Sequence, residues 1–134
     1  MSRLEKFLGN WSLIPEKSDY GLGQPPQQGT YEIVADGKKV TFLMDWIDHE
    51  GEHKTMSFSE ICDGQLHPYE APGPVDQISL TLVDEANLNS LAKNGDVVVM
   101  NATRELLSEK LMKVTMSGPL PDGGDYRNIA FYEK

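Results

Sequence analysis

The sequence predicts an all-β chain: an antiparallel, up-and-down barrel of about eight to ten strands, closed at one end by a short N-terminal helix. Three observations carry this. Turn signals recur at even spacing. The runs between them are roughly five to ten residues long and rich in Val, Ile, Thr, Phe and Tyr. Apolar and polar residues alternate within those runs, as they do on a half-buried strand. A long chain of hairpins leaves two raw sheet edges, and closure removes them.

The turns come in order. Asp36-Gly37 separates "YEIVA" from "KKVTFLMDWI", and Gly51 interrupts "DHEGEHK". Asp63-Gly64 follows "MSFSEIC", Pro72-Gly73-Pro74 breaks the next segment, and Asp84-Glu85 follows "ISLTLV". Asn94-Gly95 precedes "DVVVMNATREL", "LLSE" divides it from "KLMKVTMS", and "PDGGD" precedes "YRNIAFYEK". Asp-Gly and Asn-Gly between apolar runs are strong hairpin signals, because tight turns need positive φ. "SRLEKFLGN" is the one predicted helix. Leu4, Phe7 and Leu8 share a helical face, Ser2 with Glu5 resembles a capping box, and Gly9 ends the turn. "KSDYGLGQPPQQG" reads as a loop.

The 134 residues suit one domain over the whole chain, 1–134. A net charge of -9 argues against nucleic acid or an anionic membrane as partner, since phosphate binding needs a basic patch. No apolar run approaches the ~20 residues that span a bilayer. The single cysteine, Cys62, rules out an internal disulfide framework and fits a reducing compartment. The start lacks a secretory h-region, so the expected location is cytoplasmic, with a secreted form whose signal has been removed left open.

Strand parity assigns the faces. Val40, Phe42, Met44 and Trp46 share one face and are read as inward. Met56, Phe58 and Cys62 share a face with Glu60. Ile78, Leu80 and Leu82 oppose Ser79 and Thr81, and Met112, Val114 and Met116 oppose Lys113, Thr115 and Ser117. Met100 shares its face with Val98, Ala102 and Arg104. The last strand is ambiguous, with Ile129 and Phe131 on the face of Arg127. All five methionines after Met1 thus lie on inward faces, where thioethers either adapt to varied apolar ligands or fill gaps in a core. Glu60, Arg104 and Arg127 on the same faces read either as polar anchors of a small-molecule site or as a structural ion pair closing one barrel end.

Gly9-Asn10-Trp11 then acquires a role. Gly9 lets the chain turn sharply and Trp11 plugs the closed end. A late arginine, Arg127 first and Arg104 second, is expected over the indole face, a contact of about 0.5–2 kcal/mol. Here the sequence resembles the lipocalin and fatty-acid-binding-protein group, the calycins, and more closely a family of bacterial lipocalin-like proteins. The matching stretches are "GNWSLIPEKSDYGLGQPPQ", "CDGQLHPYEAPGPVDQISL" and "AFYEK". The resemblance implies the first-strand signature Gly9-x-Trp11 and a late basic residue, Arg127, packed on that tryptophan. Two departures stand out: the middle Thr-Asp-Tyr-type turn has no clear counterpart, and "YGLGQPPQQG" cannot form the two-helix lid of the fatty-acid-binding proteins.

"HEGEH", residues 49–53, spells H-E-x-x-H. A zinc protease needs this motif on a helix, whereas Gly51 and the flanking strands place it at a hairpin tip. No metal and no cofactor are implied, and His67 reads as a loop residue. The expected function is non-enzymatic binding of a small, largely apolar or amphipathic ligand by a monomer or homodimer. Phe42, Met44, Trp46, Met56, Phe58, Met100 and Met116 would line the site, with Arg104 or Arg127 at the ligand's polar end. Two alternatives stand beside it: a barrel enzyme of isomerase or cyclase type using Glu60 as base, and a filled barrel acting through its surface.

Overall fold

The computed structural model describes residues 3–20, 24–69, 73–120 and 122–134. Ser2 of the expected capping box, Gly21-Leu22-Gly23, and Pro72 and Pro121 of two expected turns lie outside the described residues.

Among the described residues, eleven strands form one sheet. They are β1 (Gly9–Leu13), β2 (Asp19–Tyr20), β3 (Gln28–Asp36), β4 (Lys39–Ile47), β5 (His53–Ile61), β6 (His67–Pro68), β7 (Gln77–Asp84), β8 (Asn87–Asn94), β9 (Val97–Ser108), β10 (Leu111–Pro119) and β11 (Asp125–Glu133). Spatial order is β5-β4-β3-β1-β11-β10-β9-β8-β7-β6, with β2 added beside β11. Every strand pair is antiparallel. Beyond the expected eight to ten strands, the two-residue pieces β2 and β6 fall in stretches read as loops. The "LLSE" stretch corrects another expectation: β9 runs through it to Ser108 and the turn follows at Glu109-Lys110. Leu106 there pairs with Met112 on the inner face, which keeps the stretch in the ladder.

The N-terminal helix is also corrected. Arg3–Phe7 is a five-residue 3-10 turn, its Leu8 N–H donating to the Glu5 carbonyl at 3.2 Å. The chain begins pairing with β3 at Gly9↔Ile33, which ends the turn there. Gly9 makes the switch at φ +121°, a conformation strained for any residue with a Cβ. The turn nevertheless seals the barrel, because Leu4 and Phe7 are both buried.

Register aligns the residues read as inward in rows across the strands. Trp11↔Tyr31↔Met44↔Met56 form one inward row, and Phe42↔Phe58 and Val40↔Glu60 continue it. On the other wall, Leu80↔Ser90↔Ala102↔Met116↔Asn128↔Tyr20 is one row and Leu82↔Leu88↔Arg104↔Val114↔Ala130 the next. The face of Tyr126, Asn128, Ala130 and Tyr132 is therefore the inner side of β11, and Arg127, Ile129 and Phe131 point outward. Toward the sealed end the interior is solid: Phe7, Trp11, Ile33, Val40, Phe42, Leu80, Leu88 and Met112 exclude solvent completely.

The seam between β5 and β7 is sparse. Cys62 forms an isolated parallel bridge with Leu80, and the Gly64 N–H donates to the Leu80 carbonyl at 2.9 Å. Closure occurs at the Ile61 end of β5, while the remainder of that strand pairs with β4 alone.

Candidate ligand-binding site

Trp11 is the plug that its position implies. It is fully buried, and its indole N–H donates to the Phe7 carbonyl at 2.9 Å. The cation over it is Lys134, whose Nζ lies 4.7 Å from the ring centroid. Arg127 is exposed and outward, opposite Ser117 on β10, so it neither caps the tryptophan nor lines the interior. The cause is parity. An even-numbered position faces inward on β11, and the chain end lies beside the start of β1, where Lys134 Cε would approach a Cβ at Gly9 to 3.4 Å.

Arg104 is the most deeply buried charged residue among the described residues. It is 2% exposed. Starting from β9, it crosses the barrel to the opposite wall. Its Nε–H donates to Tyr31 Oη on β3 at 2.8 Å, and an Nη1–H donates to Ser90 Oγ at 3.2 Å. Its guanidinium carbon sits 4.3 Å from the Phe42 ring centroid on β4. A guanidinium carries five N–H donors, and these contacts engage two of them. Among the described residues no carboxylate pairs with it.

Phenols surround this cation. Tyr132 packs edge-on against Tyr31 with centroids 5.3 Å apart. Its phenol is pushed far above the ordinary range, first by burial and then by Tyr20 and Tyr31, with Arg104 opposing. Tyr132 therefore keeps its proton and can donate it. Beyond this group the wall is aromatic, with Phe42 and Phe58 stacked at 4.8 Å. Tyr31, Tyr132 and Ser90 were missed from the sequence. Alternation in "YEIVA" and "NIAFY" was the available signal, and the ambiguous parity of the last strand hid it.

Glu60 does not pair with Arg104. It is buried on the inner face of β5, and burial raises its carboxyl pKa, His67 opposing and Asp63 adding to the rise. His67 belongs to β6 rather than a loop, and its Nε2 lies 3.0 and 2.9 Å from the two Asp63 carboxylate oxygens. Glu60 thus belongs to the seam. The "HEGEH" segment is a hairpin tip, with Gly51 at φ +89° and His53 Nε2 2.8 Å from Asp45 Oδ1. Among the described residues no cluster of His, Cys, Asp and Glu has metal-binding geometry.

The predicted lining residues divide by depth. Phe42 is buried, and Met44, Trp46, Phe58 and Met100 are half-buried. Met56 and Met116 face inward by register yet are 50% and 37% exposed, far more than a packed core allows. Met56 lies on the edge strand where the seam opens. Met116 lies on a continuous wall, so solvent reaches the interior surface there. Two grooves of about 530 and 570 Å³ run along β1, β3, β4 and β5 and are open rather than enclosed; Trp46 borders the first, and Met44 and Met56 border the second.

No family model and no curated protein matches the sequence. Solved structures do match over nearly the whole chain. A Schistosoma mansoni fatty acid binding protein in complex with arachidonic acid aligns with TM-score 0.64 and 16% identity, covering 99% of this chain and 98% of that one. The fluorescent protein UnaG aligns at 0.63 and 19%, covering 98% of each. Zebrafish ileal bile acid-binding protein complexed with cholic acid aligns at 0.59 and 16%, covering 96% and 98%. The likeness is one of fold. The chain is an antiparallel, nearly closed barrel of the fatty-acid-binding-protein type, and no helix in the described residues is long and apolar enough to cross a membrane.

Proposed function

We propose that this barrel is a non-enzymatic carrier of a small, largely apolar molecule with one acidic group, bound inside it. The observation that carries the reading is the buried Arg104, which has no carboxylate partner among the described residues. Taking an ion out of water costs several kcal/mol even after relaxation. An anionic ligand head supplies the missing charge, and Tyr132 adds a neutral donor. Apolar burial at about 25 cal/mol per Å² provides most of the affinity. The inward residues Phe42, Met44, Trp46, Phe58, Met100 and Met116 contribute that surface, with Met56 at its margin. Arg104 fixes orientation. Two barrels of like fold hold acids of this description, arachidonic and cholic acid. The motif resemblance to bacterial lipocalin-like proteins and the lone cysteine fit a small binder in a reducing cytoplasm.

Competition tests the reading. Protein stripped of endogenous lipid is loaded with a fluorescent long-chain acid and challenged with oleic acid or methyl oleate. The acid is expected to displace the probe at least about tenfold more effectively than the ester, the difference of a charge-assisted contact. Failure of the probe to bind, or equal displacement by acid and ester, overturns the proposal.

A further inference from the structure

The inward wall holds a second polar group that the binding reading above leaves unused. Asn128 Oδ1 is buried and has no hydrogen-bond partner among the described residues. Register places Asn128 on the inner face of β11, between Met116 of β10 and Tyr20 of β2. It stands in the same row as Ser90, which holds Arg104, and one inward position from Ala130 in the Arg104 row. Two strand spacings and one pleat repeat separate Arg104 from Asn128, about 12 Å between backbones.

A carbonyl oxygen in this position needs an explanation. Asparagine is poorly suited to a central strand, and an apolar side chain of like size would occupy the site with no unpaired acceptor. The neighbouring wall is not packed solid, since Met116 beside it is 37% exposed. The polar groups around Arg104 can already donate: the guanidinium has N–H groups to spare, and Tyr31, having accepted from Arg104, directs its own hydroxyl proton elsewhere. Asn128 Oδ1 is an acceptor on the β9–β11 wall that lacks a donor among the described residues. The other orphaned amide oxygen in the described residues, Asn89 Oδ1, lies on the outward face between Thr81 and Thr103 and has no part in the interior.

We infer that Asn128 is a specificity-determining residue that selects amphipathic acids carrying a hydroxyl or N–H donor along the chain from the acidic head. This rests on the binding reading, with Arg104 taking the acid and Asn128 the donor. A plain fatty acid satisfies Arg104 and leaves the Asn128 oxygen unpaired; a hydroxylated acid satisfies both. Sites that hydrogen-bond a ligand group discriminate strongly against the analogue that lacks it.

Isothermal titration calorimetry tests this with palmitic acid and a series of hydroxypalmitic acids, the hydroxyl moved stepwise along the chain. Wild type is expected to bind at least one hydroxy acid about tenfold tighter than palmitic acid. Asn128→Leu is expected to erase or reverse that preference while binding palmitic acid at least as well. Asn128→Ala, which adds no bulk, is expected to erase the preference too, with thermal melts checking that each variant is folded. If wild type binds palmitic acid but prefers no member of the series, or if folded variants keep the preference, the inference fails and the binding reading stands. If wild type binds no acid at all, both fail.

Discussion

Replacing Arg104 by methionine separates binding from folding. Its guanidinium makes two hydrogen bonds, at 2.8 and 3.2 Å, and lies 4.3 Å over the Phe42 ring. Hydrogen bonds from a charged group contribute about 1.5–3 kcal/mol each. A desolvated cation–π contact adds about 2 kcal/mol. Against this stands the desolvation of an unpaired ion, several kcal/mol, which methionine does not incur. Methionine also keeps most of the packing of the aliphatic stem. The opposing terms are similar in size, so stability is expected to change by no more than about 2 kcal/mol, a melting shift within about 8 °C. A bound carboxylate breaks this balance. Removing one member of a buried charge pair costs about 2–5 kcal/mol, or roughly thirtyfold and upward in Kd. The assay is calorimetric titration of an acid and its methyl ester into wild type and Arg104→Met, beside melts without ligand. The acid is expected to lose about thirtyfold or more and the ester less than about threefold. Equal losses for both ligands, or a variant that does not fold, would show that Arg104 is an internal strut and refute the reasoning.

The remaining expectations concern stability. Burial raises the Glu60 carboxyl above its unfolded value, with His67 opposing and Asp63 assisting. The folded state then holds that proton more tightly, so the stabilisation is complete below the unfolded carboxylate range and is lost as pH rises through the raised value. Glu60→Gln should therefore raise the melting temperature by a few degrees at about pH 8 and hardly at about pH 4; equal shifts at both would count against a buried titrating carboxyl. A Cβ at Gly118 would meet the Val99 carbonyl oxygen at 2.5 Å and Tyr126 Cε1 at 3.0 Å, so Gly118→Ala is expected to destabilise by about 1–3 kcal/mol in urea unfolding. Lys134→Met should remove about 0.5–1 kcal/mol and alter Trp11 fluorescence, whereas Arg127→Met should do neither; the opposite result would return the tryptophan cap to Arg127.

Local chemistry made much of this architecture legible. Asp36-Gly37 and Asn94-Gly95 do mark hairpins, with the turn residues one step on: Gly37-Lys38 and Gly95-Asp96 make the turns, their glycines at φ +63° and +59°, and Asp36 and Asn94 stay in the ladder opposite Lys39 and Val97. Alternation from Val40 to Trp46 identified the inward face because side chains on a strand alternate whatever its partner. Gly9 and Trp11 were readable as a chain reversal and a plug, since one needs positive φ and the other needs burial. The short N-terminal element escaped this logic. Its apolar spacing fits a helix, but its end was fixed by where β1 meets β3.

The site depended on contacts distant in sequence. Arg104 and Tyr31 are 73 residues apart, and a buried arginine is indistinguishable from a paired one until every neighbouring carboxylate has a position. Glu60 and Arg104 share the inner face, yet Glu60 lies toward the seam, and only the strand order separates them. The cation on Trp11 was set by which end of β11 reaches the barrel floor. Sequence by itself determined the strand rhythm, the turns and most of the inward side, because these follow from backbone geometry and the alternation of side chains. The tertiary structure decided which inward groups meet, because pairing, desolvation and solvent access depend on the register of strands that the chain brings together from its two ends.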